Sequence, residues 1–129
     1  MKGISSVRVV SFEVPFVTPF ANSVVCYERL SYVRTMMTCE RVIGYGEVTA
    51  MPGYSSETVS SICAAIERHF GPALLGMNPH QALEIEDRLA KVLPGNPYAR
   101  SAVDLALTDL RARLMEMPAH EVMGGAVHN

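Results

Sequence analysis

The sequence predicts an α+β domain, a three-stranded antiparallel meander sheet followed by a bundle of three to four helices. Three observations carry this reading. Apolar residues alternate with polar ones through much of the chain as far as Val48. From Ser55 onward they recur at helical spacing, and Asn-Pro and Pro-Gly steps divide that second half into separate helices.

The first strand covers Ile4 to Val14. Val10, Phe12 and Val14 point one way, while Val7 and Val9 point the other before Ser11 and Glu13 turn that face polar, so the strand is more buried at its beginning. Pro15 is expected to stop it. Phe16 to Asn22 then has two phenylalanines and, with Pro15 before them and Pro19 between them, no clear period, and reads as a loop with an apolar tip. Tyr27 to Thr38 is rich in Tyr, Val, Thr and Leu, and Cys39-Glu40-Arg41 joins it to Val42–Val48 as a hairpin. Gly44 and Gly46 leave the last strand bare at alternate positions, which implies a close backbone approach or a bend. Met51-Pro52-Gly53-Tyr54 is a turn in which proline presets φ and glycine supplies a left-handed position.

Ser55 or Ser56 can cap the helix that follows, with Glu57 placing negative charge at the positive end of its dipole. Val59, Ile62, Cys63, Ile66 and Phe70 form its apolar stripe, and Gly71-Pro72 is expected to end it. Asn78-Pro79 and Asn96-Pro97 each place a capping side chain before a proline tolerated in a first turn. The first of the two helices carries Ala82, Ile85, Leu89 and Val92. The second runs from Pro97 to about Glu116 with Ala99, Ala102, Val103, Ala106, Leu110 and Leu114 inward, and its small residues make it the central helix. Asp109 and Arg113 form a pair one turn apart on its outside. Pro118 to Met123 adds a helical turn before Gly124-Gly125.

At 129 residues, with about half of them apolar, the chain is the size of one domain. A formal charge of −2 without long runs of either sign speaks against a nucleic-acid partner. Cys26, Cys39 and Cys63 are an odd number without CxxC spacing, and no stretch is long and apolar enough to span a bilayer. The expectation is a cytoplasmic protein with no membrane partner.

No catalytic constellation emerges. His69, His80, His120 and His128 are scattered without HExxH spacing and read as surface or capping residues. Gly44-x-Gly46 lacks the third glycine and the following helix of a dinucleotide site. Glu47 reads as the partner of an arginine or of backbone N–H groups rather than a base, and the cysteines as small core residues. No residue is assigned as catalytic or as a metal ligand. Phe16, Phe20, Met51 and Tyr54 stand out as large apolar side chains on segments expected to be exposed, where they either mark a contact surface or fold back on the core.

Taken in order, the strand ending in Val14-Pro15, Gly44-Tyr45-Gly46-Glu47, Tyr54-Ser55-Ser56-Glu57-Thr58, Gly76-Met77-Asn78-Pro79, Ala102 to Asp109 and Met123-Gly124-Gly125 are landmarks. In them the chain resembles the N-terminal capping domain of the mandelate racemase and muconate lactonizing enzymes of the enolase superfamily, over essentially its whole length. Glu40-Arg41 departs from the acidic residue and glycine common there, which bears on the hairpin turn.

The resemblance implies a (β/α)-barrel as the domain's partner. It places residues 1–129 as a single capping domain, with the chain stopping at Asn129 where the barrel is expected to begin. The chemistry it implies, removal of the proton α to a carboxylate with the enediolate held by Mg²⁺, belongs to that barrel, so this chain is expected to hold no cofactor and to be inactive alone. The parent enzyme would be an isomerase or lyase, a homo-oligomer acting on a carboxylate-bearing small molecule. The two loops that cover the substrate correspond to Phe16–Val25 and Ala50–Tyr54, which makes Phe16, Thr18, Phe20, Met51, Pro52 and Tyr54 the substrate-facing residues. The competing reading is a stand-alone, non-catalytic module for interaction or self-association.

Overall fold

The structure, a computed structural model, describes residues 2–127. Its sheet has three strands, β1 (Ile4–Ala21), β2 (Cys26–Cys39) and β3 (Val42–Ala50), in the order β1-β2-β3 and antiparallel throughout. Helices follow as α1 (Val59–Ala65), a π turn (Ile66–Phe70), α2 (Gly71–Leu74), α3 (Ala82–Val92), α4 (Pro97–Leu114) and a short α5 (Ala119–Val122).

One strand is longer than its composition implies. β1 passes through Pro15 and continues to Ala21, so the segment expected as a loop is extended chain. After a one-residue shift between Ile4 and Ser6, pairing is regular to Pro15↔Arg29 and resumes at Phe20↔Tyr27, leaving Phe16–Pro19 opposite Glu28 alone. β1 is an edge strand, where a proline costs no ladder bond on its open side, and the bulge absorbs the surplus residues. The true turn is Asn22 to Val25. At the other hairpin Glu40 takes the left-handed conformation, φ 58°, that glycine adopts most readily.

The inner face of the sheet carries Val33, Met37 and Cys39 from β2, all fully buried, with Val7 and Val9 of β1 packed beside them. Against it lies α4, whose Ala99, Ala102, Val103, Ala106 and Leu110 are fully buried. The two glycines explain the closeness. A Cβ on Gly44 would stand 2.4 Å from the carbonyl oxygen of Ala106, and one on Gly46 2.0 Å from that of Ala102. The helix backbone therefore rests directly on the bare strand.

The first helical stretch does not end at Gly71-Pro72. Gly71 N–H reaches back to the Ile66 carbonyl, the wider step of a π turn, and the chain goes on helically to Leu74. Ile62, Ile66, Phe70 and Leu74 are all buried beneath the sheet. In α3, Ile85 and Leu89 face the core as expected, whereas Ala82 and Val92 at its ends are exposed.

Three expected caps are not made, and two of them are replaced by others. Thr58, not Ser55 or Ser56, caps α1, in a reciprocal box with Ser61: Thr58 Oγ1 accepts Ser61 N–H at 3.2 Å and Ser61 Oγ accepts Thr58 N–H at 2.8 Å. Asn78 Oδ1 accepts His80 N–H at 2.9 Å in a turn ahead of α3 and does not cap it. Asn96 sits at the start of α4 with φ 55° and makes no cap bond. That end of α4 is closed from elsewhere in the chain, as described next.

Candidate functional site

Three segments meet at one end of the domain: the β1–β2 turn, the loop after β3 and the start of α4. Asn22 orders the turn. Its Oδ1 accepts Val24 N–H at 2.8 Å and Val25 N–H at 3.0 Å, the local bonding that makes asparagine a turn residue. The loop after β3 closes on itself, with the N–H groups of Tyr54 and Ser55 both donating to the Met51 carbonyl at 3.1 and 3.0 Å. Gly53 supplies the φ of +100° that this tight ring requires.

The turn and the ring touch. Asn22 Nδ2 donates to the Tyr54 hydroxyl, and the Tyr27 hydroxyl donates to the Pro52 carbonyl at 2.9 Å. Ser55 Oγ accepts the N–H of Glu57 at 3.1 Å. The Glu57 carboxylate, buried, lies over the open end of α4 and accepts Tyr98 N–H at 2.8 Å and Ala99 N–H at 3.1 Å. Glu57 thus does not serve the dipole of α1. It satisfies two of the orphan donors of α4, where its charge is also favoured by the dipole.

Of the residues expected to face a substrate, Phe20 and Tyr54 are 46% and 53% exposed, while Phe16 and Met51 are half-buried. Thr18 and Pro52 are exposed. Phe16 and Phe20 stack on each other with ring centroids 6.3 Å apart. Met51 lines a shallow groove with Val48, Thr49, Pro97, Tyr98 and Ser101. The structure therefore brings Pro52 and Tyr54 against the β1–β2 turn, with the phenylalanine pair further along the same strand. Asn22, Tyr27 and Glu57, which join these parts, escape a reading from composition because each is an ordinary polar residue until its distant partner is known.

Chain segments from residue 4 to residue 124 match the family model described as "Mandelate racemase / muconate lactonizing enzyme, N-terminal domain". The chain belongs to this family.

Among mandelate racemase/muconate lactonizing enzyme relatives, it is 35% identical to a muconate cycloisomerase 1 of Rhodococcus opacus, over 95% of this chain and 34% of that enzyme. It is 29% identical to an N-succinyl-L-Arg/Lys racemase of Bacillus cereus, over 97% of this chain and 34% of the racemase. The fold superimposes on a muconate lactonizing enzyme from Pseudomonas fluorescens solved with muconolactone, with a TM-score of 0.94 and 25% identity over 98% of this chain and 35% of that one. The chain thus spans about a third of the length of the curated relatives it matches.

Within this family's N-terminal domain, the remaining candidates fall into structural roles. Glu47 pairs with Arg34 at 2.8 Å on the outer face of the sheet, as expected of a lone acid on a strand. Asp109 is more than a surface partner of Arg113: its Oδ2 accepts both Arg113 Nε at 2.9 Å and the Tyr45 N–H at 2.8 Å, tying α4 to β3. Cys39 is buried and Cys63 half-buried, but Cys26 is exposed and not a core residue. His69 and His120 are exposed, His80 is half-buried, and His128 lies outside the described residues. Among the described residues, no three His, Cys, Asp or Glu side chains come together to hold a metal ion, so a Mg²⁺ site has no fit there. No helix among them is long and apolar enough to cross a membrane.

Proposed function

We propose that this chain is the substrate-covering domain of an enzyme of the mandelate racemase/muconate lactonizing type. It closes over the mouth of a (β/α)-barrel in which the proton α to a substrate carboxylate is removed. The observation that carries the reading is the convergence of two apolar-tipped segments, with Phe20 and Tyr54 half exposed, at one end of a rigid sheet-and-helix frame. The relatives named above take muconate and N-succinylated amino acids, all carboxylates, so a small carboxylate is the substrate class. Phe16, Thr18, Phe20, Met51, Pro52 and Tyr54 meet its distal part. Mg²⁺, which would offset the charge on the substrate carboxylate, and the base that takes the proton are assigned to the barrel. This chain contributes exclusion of water and a shaped apolar ceiling. The same reading makes the enzyme an isomerase or lyase. The unpaired cysteines favour a cytoplasmic setting.

The test pairs this chain with the barrel of a muconate cycloisomerase relative deprived of its own N-terminal third. Turnover of a carboxylate substrate is expected with the pair and not with this chain plus Mg²⁺ alone. Phe20→Ala and Tyr54→Ala are expected to change the ratio of kcat/KM between substrates that differ only in their distal group. An unchanged ratio, or Mg²⁺-dependent racemisation by the chain alone, overturns the proposal.

One observation favours self-association as a second reading. The outer face of the sheet exposes Val10, Val14, Ile43 and Tyr45, each between 39% and 45%, around the stacked rings of Phe12 and Tyr32. A dimer or larger homo-oligomer in sedimentation at micromolar concentration supports it, and a monomer removes it.

A further inference from the structure

Two loops that each face a ligand can move independently or as one body, and the difference decides whether a substrate is selected by one surface or by two. Here the contacts cross the gap at three separate points. Asn22 Nδ2 meets the Tyr54 hydroxyl, the Tyr27 hydroxyl meets the Pro52 carbonyl at 2.9 Å, and Val25 Cγ1 fills the space beside Gly53, 3.0 Å from where a Cβ would stand. Each is modest alone, because exposed hydrogen bonds trade against water. Their arrangement matters more than their strength. Asn22 and Tyr27 stand on either side of the β1–β2 turn, and both grip the same five-residue ring, Met51–Ser55, so neither segment can swing without breaking bonds at two places.

The ring itself is stiff. It is pinched by two N–H donors on the Met51 carbonyl and tethered through Ser55 and Glu57 to the first turn of α4. Phe20 lies two residues before Asn22, and Met51 begins the ring. The apolar side chains on the two segments are therefore set at a distance fixed by polar residues that need never touch a ligand.

We infer that Asn22 and Tyr27 are positioning residues that fasten the β1–β2 turn to the Met51–Ser55 loop, making the two a single cover. The inference rests on the covering role proposed above for its meaning in catalysis. Its physical content is a property of this chain alone. A substitution in one loop then alters the specificity set by the other.

Amide hydrogen exchange followed by NMR on this chain, free of substrate and barrel, tests it. Tyr54→Phe and Tyr27→Phe each remove one oxygen and leave the packing volume intact. Tyr54→Phe is expected to speed exchange of Val24 and Val25, across the gap, by about threefold to tenfold, and Tyr27→Phe to do the same for Tyr54 and Ser55, the range that loss of one such bond allows. The thermal midpoint stays unchanged, which separates positioning from a general loss of structure. Ser23→Ala, in the same turn but outside the contacts, leaves the Met51–Ser55 loop as it was. Acceleration confined to the substituted loop, or an equal response to Ser23→Ala, overturns the inference. Because no substrate enters the measurement, that failure is distinct from failure of the covering role.

Discussion

The carboxylate of Glu57 accepts the backbone N–H of Tyr98 at 2.8 Å across 41 positions of sequence, and so closes a helix to which it does not belong. With Ala99 N–H as its second donor, this one side chain stands in for the cap that Asn96 does not provide. Glu57→Ala leaves two donors without a partner, one of them on the fully buried Ala99, and is expected to lower stability by about 2 kcal/mol. Glu57→Gln, which keeps an acceptor but loses the charge, should fall between. Urea unfolding midpoints measure both, and an alanine variant as stable as the native chain would refute the capping role.

The bare face of β3 gives a second expectation. Gly46→Ala puts a methyl group 2.0 Å from the Ala102 carbonyl oxygen, a backbone atom that cannot swing aside, so α4 must lift from the sheet. The expected loss is about 1–3 kcal/mol or more, as for other overpacked cores. Gly76→Ala serves as the contrast: a Cβ there meets nothing within 4 Å among the described residues, so only the strain of its φ of +81° is felt. Equal losses from both substitutions would show that close approach is not what Gly46 provides.

Thr35 is fully buried on the inner face opposite Gly46, and its hydroxyl has no hydrogen-bond partner among the described residues. Thr35→Val keeps the branched shape that suits a strand and removes the unsatisfied group. It is expected to raise stability by about 1 kcal/mol, seen as a higher thermal midpoint with no change in fold. A lower midpoint would point to a bonded hydroxyl.

The cysteines should differ in reactivity. Burial pushes the thiols of Cys39 and Cys63 up, aided by Glu40 beside the first and Glu67 beside the second, which leaves less thiolate at neutral pH. Cys26, exposed at the start of β2, is expected to take an alkylating reagent first, and Cys39 only as the domain unfolds. Peptide mapping after brief labelling checks the order, and early modification of Cys39 would contradict it.

Much of the architecture could be read from pattern alone because each signal was local. Alternation marked the strands, the four-residue recurrence of Ile62, Ile66 and Phe70 marked a helix, and Gly44 with Gly46 left a close backbone approach or a bend, of which the structure shows the approach, by α4. What escaped was set by tertiary position. Pro15 reads as a strand end until β1 is known to be an edge, and Asn96 reads as a cap until Glu57 arrives from another segment. The candidate site divides in the same way. The apolar tips at Phe20 and Tyr54 were visible by composition, whereas the contacts of Asn22 and Tyr27 depend on a pairing register that no short window contains.

The π turn at Ile66–Phe70 settles a matter of rotation. Ile62, Ile66, Phe70 and Leu74 are spaced by four, and on a regular α-helix each step of four residues overshoots a full turn by about 40°. Over three steps the last side chain would point about 120° away from the first, out towards water. A wider turn holds more residues per revolution and takes back part of that excess, so all four stay beneath the sheet. The single added residue thus works as a phase corrector, letting a sixteen-residue stretch with the wrong period for a straight helix bury one continuous ridge.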